Sequence, residues 1–201
     1  MEMTDQLVCA AGNGDVSVVA QLLGEGAEVD APSSDGRTAL DLAAHAGHTG
    51  VLRVLLAAGA DPQQDAGEYG ESTPLNLAAM HGHTAVVRTL LEAGATTGAQ
   101  GRLRHTPLVL AATATAQGHP QTVDLLLHHG ADINGAMKDK TPLEWAAAFG
   151  QVRMLHHLLA LGATPTAKAL SAARAGAKRS PRAAAEYALV VDALHAAGVE
   201  D

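Results

Sequence analysis

Thr73-Pro74-Leu75-Asn76-Leu77-Ala78-Ala79 decides the fold, because the chain repeats this stretch. Thr38-Ala39-Leu40-Asp41-Leu42-Ala43-Ala44 precedes it, and Thr106-Pro107-Leu108-Val109-Leu110-Ala111-Ala112 and Thr141-Pro142-Leu143-Glu144-Trp145-Ala146-Ala147 follow. The four threonines stand 35, 33 and 35 positions apart. Fainter copies sit at Leu7-Val8-Cys9-Ala10-Ala11, 33 residues before the Leu40 copy, and at Ala169-Leu170-Ser171-Ala172-Ala173.

Each copy has the chemistry of a helix start. A threonine hydroxyl accepts a backbone N–H of the first turn. Proline at the next position gives up an N–H that has no helical partner there. The leucines and alanines that follow make one small apolar face. Such a unit cannot bury that face alone, and a recurrence near 33 residues marks units stacked on one another. A second mark recurs 21 residues after the threonine, at Gly59-Ala60-Asp61, Gly94-Ala95-Thr96 and Gly162-Ala163-Thr164. In the third copy Gly130-Ala131-Asp132 comes 24 residues after, so three residues are inserted there.

Threonine-proline-leucine-x-x-alanine at this period resembles the ankyrin repeat, and the resemblance covers about residues 4–200. It implies an all-α solenoid of helix-turn-helix units joined by β-hairpin-like fingers. The expected division of a single 1–201 domain is an N-terminal cap repeat at 1–32, full repeats at 33–66, 67–100, 101–135 and 136–166, and a C-terminal cap repeat at 167–201. Apolar residues reach 47 % of the chain but aromatics only 2 %, which suits thin helices packed close together.

The single cysteine, Cys9, excludes an internal disulfide and is expected as a buried, inert thiol in the first inner helix. Residues 1–11 include Glu2 and Asp5 and read as that helix rather than as a leader. No stretch approaches the roughly 20 apolar residues of a membrane span. The expectation is a soluble, cytoplasmic, monomeric protein. Its net charge is −8, with thirteen acids against three bases in residues 1–100 and eight against ten in 101–201. That balance argues against a uniformly nucleic-acid-binding surface.

In the first unit, Asp15 is expected to cap an outer helix with Val18, Val19, Leu22 and Leu23 as its apolar stripe. The three residues inserted within 113–117 are expected to add about one turn to the inner helix. The finger at 61–72 is two residues longer than the first. The last helix is expected over 181–197, capped by Ser180 and buried through Tyr187, Val190, Val191 and Leu194.

No phosphate loop, nucleophile elbow or His-Glu-x-x-His appears, so the chain reads as non-enzymatic, with no cofactor. Of eleven histidines, His48, His83 and His119 share one slot after a glycine, which predicts a structural bond to the turn backbone. The pairs His128-His129 and His156-His157 fall near outer-helix C-termini, where imidazole suits the dipole. Adjacent histidines on a helix point about 100° apart, so no metal site is expected. Trp145 occupies the slot of Leu42, Leu77 and Leu110 and is expected in the core. Phe149 follows in the slot of Ala46 and His81, which in ankyrin-like stacks faces the groove.

The resemblance implies that protein partners dock on the finger tips and the concave face. Carried over slot by slot, the candidate binding residues are Arg37, His45, Tyr69, Met80, His81, Arg102, Arg104, His105, Lys138, Lys140 and Phe149. The glycine expected two places before each threonine is present as Gly36 but replaced by Glu71, Arg104 and Asp139, so those fingers are expected to turn differently. The long finger is acidic and the next two are basic. A partner segment of mixed sign, basic at one end and acidic at the other, would be steered and registered by such a groove. The alternative is nucleic-acid or polyanion binding through Lys168, Arg174, Lys178, Arg179 and Arg182, though without the aromatics that single-strand stacking uses.

Overall fold

A computed structural model describes residues 2–64, 72–99 and 104–200. The chain falls into two compact units, Met1–Pro107 and Leu108–Asp201. The first holds α1 (Met3–Asn13), α2 (Val16–Gly24), α3 (Ala39–Ala46), α4 (Thr49–Ala57), α5 (Pro74–Met80) and α6 (Thr84–Glu92). The second holds α7 (Pro107–Thr113), which begins one residue earlier, α8 (Pro120–His128), α9 (Pro142–Ala148), α10 (Val152–Ala160), α11 (Ala167–Arg179), a 3-10 turn (Pro181–Ala183) and α12 (Ala184–Ala196). Met137 and Lys140 form an isolated antiparallel bridge.

Three of the four threonine starts act as the sequence predicts, and Thr106 does not: its Oγ1 is buried without a hydrogen-bond partner among the described residues. Thr38, Thr73 and Thr141 accept the N–H of the third helical residue at 3.2, 3.3 and 3.2 Å. Asp41 and Glu144 return the favour to the threonine N–H at 3.1 Å each, closing two capping boxes. Thr166 caps α11 in the same way, accepting from the Ala169 N–H at 3.1 Å, and this cap falls outside the Thr-Pro pattern. Ser180 makes no side-chain cap, and the chain enters α12 through the 3-10 turn instead. Asp15 likewise sits at the N-cap of α2 without a side-chain bond.

Within the first unit the inner helices α1, α3 and α5 pack in sequence, and the outer helices α2, α4 and α6 do the same. In the second, α9 packs on α11 and α10 on α12. Ala43, Ala44, Ala78, Ala79, Ala146 and Ala147 are fully buried, so the small-residue face is what lets neighbouring helices come close. The outer helices bury Val51, Leu52 and Leu55, then Val86, Val87 and Leu90, then Met154, Leu155 and Leu158. In α2 only Val19 and Leu22 are buried. Val18 is exposed, because α2 packs on α4 from one side. In α12 Tyr187, Val190 and Leu194 are buried as expected and Val191 is half-buried.

The three inserted residues do not lengthen the helix. α7 ends at Thr113 after seven residues, as α5 and α9 do after theirs. The His119 N–H bonds to Ala111 O at 2.8 Å, the acceptor slot that His48, His83 and Gln151 reach in Ala43, Ala78 and Ala146. That hydrogen bond recurs in each repeat, and the inner helix ends two to three residues beyond its acceptor. The surplus at 114–117 therefore loops out as an exposed turn.

The glycine-less finger at 137–140 turns differently from the first, as expected. Arg104 (φ 48°) and Asp139 (φ 62°) keep the left-handed conformation of Gly36 (φ 72°), but the first finger closes from Ser33 N–H to Arg37 O at 2.8 Å around three residues. Lys138 joins Asp139 at φ 50°, which makes a two-residue primed turn closed by Met137 N–H to Lys140 O at 2.9 Å and the reverse bond at 3.2 Å. Glu71, with Tyr69 and Arg102, lies outside the described residues.

Candidate functional site

The repeats are tied together by polar bonds that occupy much of the histidine content. His48 Nε2 bonds to Gly12 O at 3.1 Å and His83 Nε2 to His45 O at 3.0 Å. The acceptor thus belongs to the inner helix of the preceding repeat, not to the turn that carries the histidine. In the second unit Gln151 takes this slot and donates to Thr113 O (3.4 Å) and Thr115 O. On the outer helices His157 Nε2 meets Asp124 Oδ1 at 2.7 Å, joining α10 to α8. At the finger bases Asp30 accepts from the Asp61 N–H at 3.2 Å, Gln63 from Thr96 at 3.1 Å and Asn134 from Thr164 at 2.9 Å. Among the described residues no group of three or more His, Cys, Asp or Glu is placed to hold a metal ion.

The exposed side of the inner helices is set by helical phase. The slot of Leu42, Leu77 and Leu110 is half-buried in every copy. Trp145 occupies it and is half-buried too, so the expectation of a core tryptophan is corrected. Cys9 holds the same slot in α1 and is exposed, which overturns the buried thiol for the same reason. Its sulfur accepts from Asn13 Nδ2 at 3.7 Å.

In the first unit His45 and His81 are exposed and their rings meet edge to face at 4.4 Å, with His83 stacked 5.8 Å from His81. Met80 beside them is half-buried. Arg37 is not a free cation: its Nε lies 3.9 Å from the buried Asp41 carboxylate that also serves the capping box. Nearby, Asp35 is held below the usual carboxylate range chiefly by the Ser33 hydroxyl, which donates to it at 2.5 Å. Arg104 is exposed and His105 half-buried at the end of this unit.

In the second unit the structure gathers Lys140, Trp145 and Phe149 along α9. Phe149, at the C-cap, is 53 % exposed and stacks on Trp145 with centroids 5.5 Å apart and planes at 21°. Lys140 Nζ lies 4.8 Å over the indole ring, and the indole N–H donates to Met137 O at 3.0 Å. Lys138 projects from the exposed hairpin tip. Lys168 is drawn in to Asp139 O and stands 3.6 Å from Glu144 Oε2. Thr166 Oγ1 donates to the other Glu144 oxygen at 2.9 Å. Beyond Phe149 lies an open cleft of about 370 Å³, lined by Thr113, Thr115, Ala116, Phe149, Gly150, Gln151, Ala183 and Glu186.

These groups are aromatic faces, ammonium ions and imidazoles on a fixed scaffold, which suits them to recognition. Sequence reasoning selected Lys140 and Phe149 but missed Trp145, Gln151 and Glu186. The signal for Trp145 was the departure from leucine in a slot three residues before Ala148. For the cleft it was the insertion.

A family model described as ankyrin repeats, in three copies, matches residues 7–101 and 97–169. No match to a curated protein is found.

Proposed function

Because this chain belongs to the ankyrin-repeat family, whose repeats generally mediate protein–protein interaction, we propose that it is a non-catalytic binding module, an adaptor, scaffold or inhibitor. Partner contacts fall on the inner-helix face and finger tips of each unit: His45, Met80 and His81 in the first, and Lys138, Lys140 and Phe149 in the second. Arg37, Tyr69, Arg102, Arg104 and His105 belong to the same finger series. The observation that carries this reading is Phe149, an aromatic 53 % exposed yet stacked in a fixed pose. Aromatics held that way are the usual anchors of an interface. We place the module in the cytoplasm as a monomer of six repeat units. No helix among the described residues is long and apolar enough to cross a membrane.

Affinity capture from the source proteome with wild type beside the double variant Arg104→Glu, Lys140→Glu tests the reading. The captured partner binds the variant more weakly, and equal capture by both proteins contradicts the groove. The second reading, polyanion binding at the C-terminal cap, is favoured by exposed Lys178, Arg179 and Arg182 at the end of α11 and in the turn after it. A steep loss of affinity with salt distinguishes it, since phosphate contacts release counterions.

A further inference from the structure

We propose that the second unit carries a peptide site of fixed polarity along α9, which takes a carboxylate at the Lys140 end, apolar side chains over Trp145 and Phe149, and a cation at Glu186. The proposal rests on the interaction-module reading and deepens it by naming the chemistry of the partner segment.

Both walls of the cleft beyond Phe149 are built and held. One wall is the looped insertion. Gln151 Nε2 donates to Thr115 O within it and to Thr113 O at the end of α7, Arg153 Nη1 donates to Gln117 Oε1 at 3.1 Å, and Thr115 Oγ1 donates to Gly118 O at 3.3 Å. The other wall is the start of α12. Tyr187, one residue beyond Glu186, is buried and donates its hydroxyl to Ala148 O at 3.0 Å. Its ring fills the space above Gly176, where a Cβ would stand 2.3 Å from Tyr187 Cε1. Insertion and cap are thereby pinned to the same end of α9, and the space between them is a site of fixed width.

The lining says what fits. It is mostly apolar, and Glu186 is the one charged residue among the residues that form it. At the far end Lys140 already sits over the indole, with Lys138 beyond it. Lys138 and Lys140 outweigh Asp139 at the finger, and Glu186 is the charged group lining the cleft at the other end, with Arg182 exposed beside it in the cap and two stacked aromatic rings between the ends. From Thr141 to Phe149 the helix rises about 12 Å, which an extended chain covers in three to four residues. A segment of about six residues spans the strip with both charged ends seated. That length and sign order point to a linear peptide.

Trp145 is the only tryptophan, so its emission reports on the site directly. The probes are four synthetic hexapeptide pools with two central positions varied over Leu, Ile, Val, Met and Phe. Two pools carry acidic and basic ends in either chain direction, one carries acidic residues at both ends and one basic at both. One bipolar pool shifts the Trp145 emission saturably and binds at least tenfold tighter than the two single-sign pools. In Glu186→Lys, whose exposed site leaves the fold unaffected by circular dichroism, the preference moves to the all-acidic pool by a similar factor. Absence of saturation by every pool, or an unchanged preference in Glu186→Lys, overturns the proposal. If the captured natural partner still depends on Arg104 and Lys140 in that event, the module reading stands and only the polarity falls.

Discussion

At the scale of single residues, Lys138 and Asp139 hold positive φ without being glycine. A left-handed L-residue costs roughly 1–2 kcal/mol, and Asn-Gly is the pair that a primed turn accepts without that cost. Lys138→Asn with Asp139→Gly is therefore expected to stabilise the chain by about 1 kcal/mol, read as a raised urea midpoint at unchanged slope. The missing glycine showed that this finger turns differently from the first, but not that two successive residues would take the left-handed conformation. That outcome is fixed by Met137 and Lys140, whose paired bonds leave the two residues between them no other path. Residue type also misled at Cys9 and Trp145. Three leucines in a slot read as core, yet the slot is half-buried in each copy because it faces the open side of the inner helix.

At the scale of elements, the Thr38, Thr73 and Thr141 caps and the helix pairs were legible because those starts rest on chemistry within three residues. Asp15, Thr106 and Ser180, by contrast, occupy cap positions without making the bond. Thr141→Ala removes the cap of α9 and is expected to cost about 1 kcal/mol in chemical denaturation. The insertion was legible as a count and misread as a shape. Nothing local distinguishes a longer helix from a loop. What decides is the bond from His119 N–H to Ala111 O, a constraint that the neighbouring repeats share. Gln151 holds the resulting loop from the next repeat, a contact 36 to 38 residues away in sequence that no periodicity announces. Gln151→Ala is expected to speed amide exchange at 114–117 while leaving exchange in α9 close to wild type, measured by hydrogen–deuterium exchange. Equal acceleration in both segments would show that the side chain supports the helix rather than the loop.

At the scale of the whole molecule, the family and the all-helical repeat architecture follow from a period that four copies keep in phase. The binding surface was only half legible: the finger and groove slots carry over from the resemblance, but which of them are free does not. Arg37 is taken up by Asp41 and Lys168 by its finger, whereas Phe149 is 53 % exposed. Because the candidate strip mixes a few charges with aromatic contact, raising salt from about 0.05 to 0.5 M is expected to weaken partner binding several-fold, far short of the decades seen for polyanions. Titration of the captured partner at several ionic strengths measures this slope.

The most direct test of the binding account is calorimetric titration of the captured partner into wild type and Phe149→Ala. Truncating an exposed anchor leaves folding intact, and loss of a hot-spot side chain worth about 2 kcal/mol weakens binding by roughly thirtyfold. An affinity for Phe149→Ala equal to that of wild type would contradict the claim that this face receives the partner.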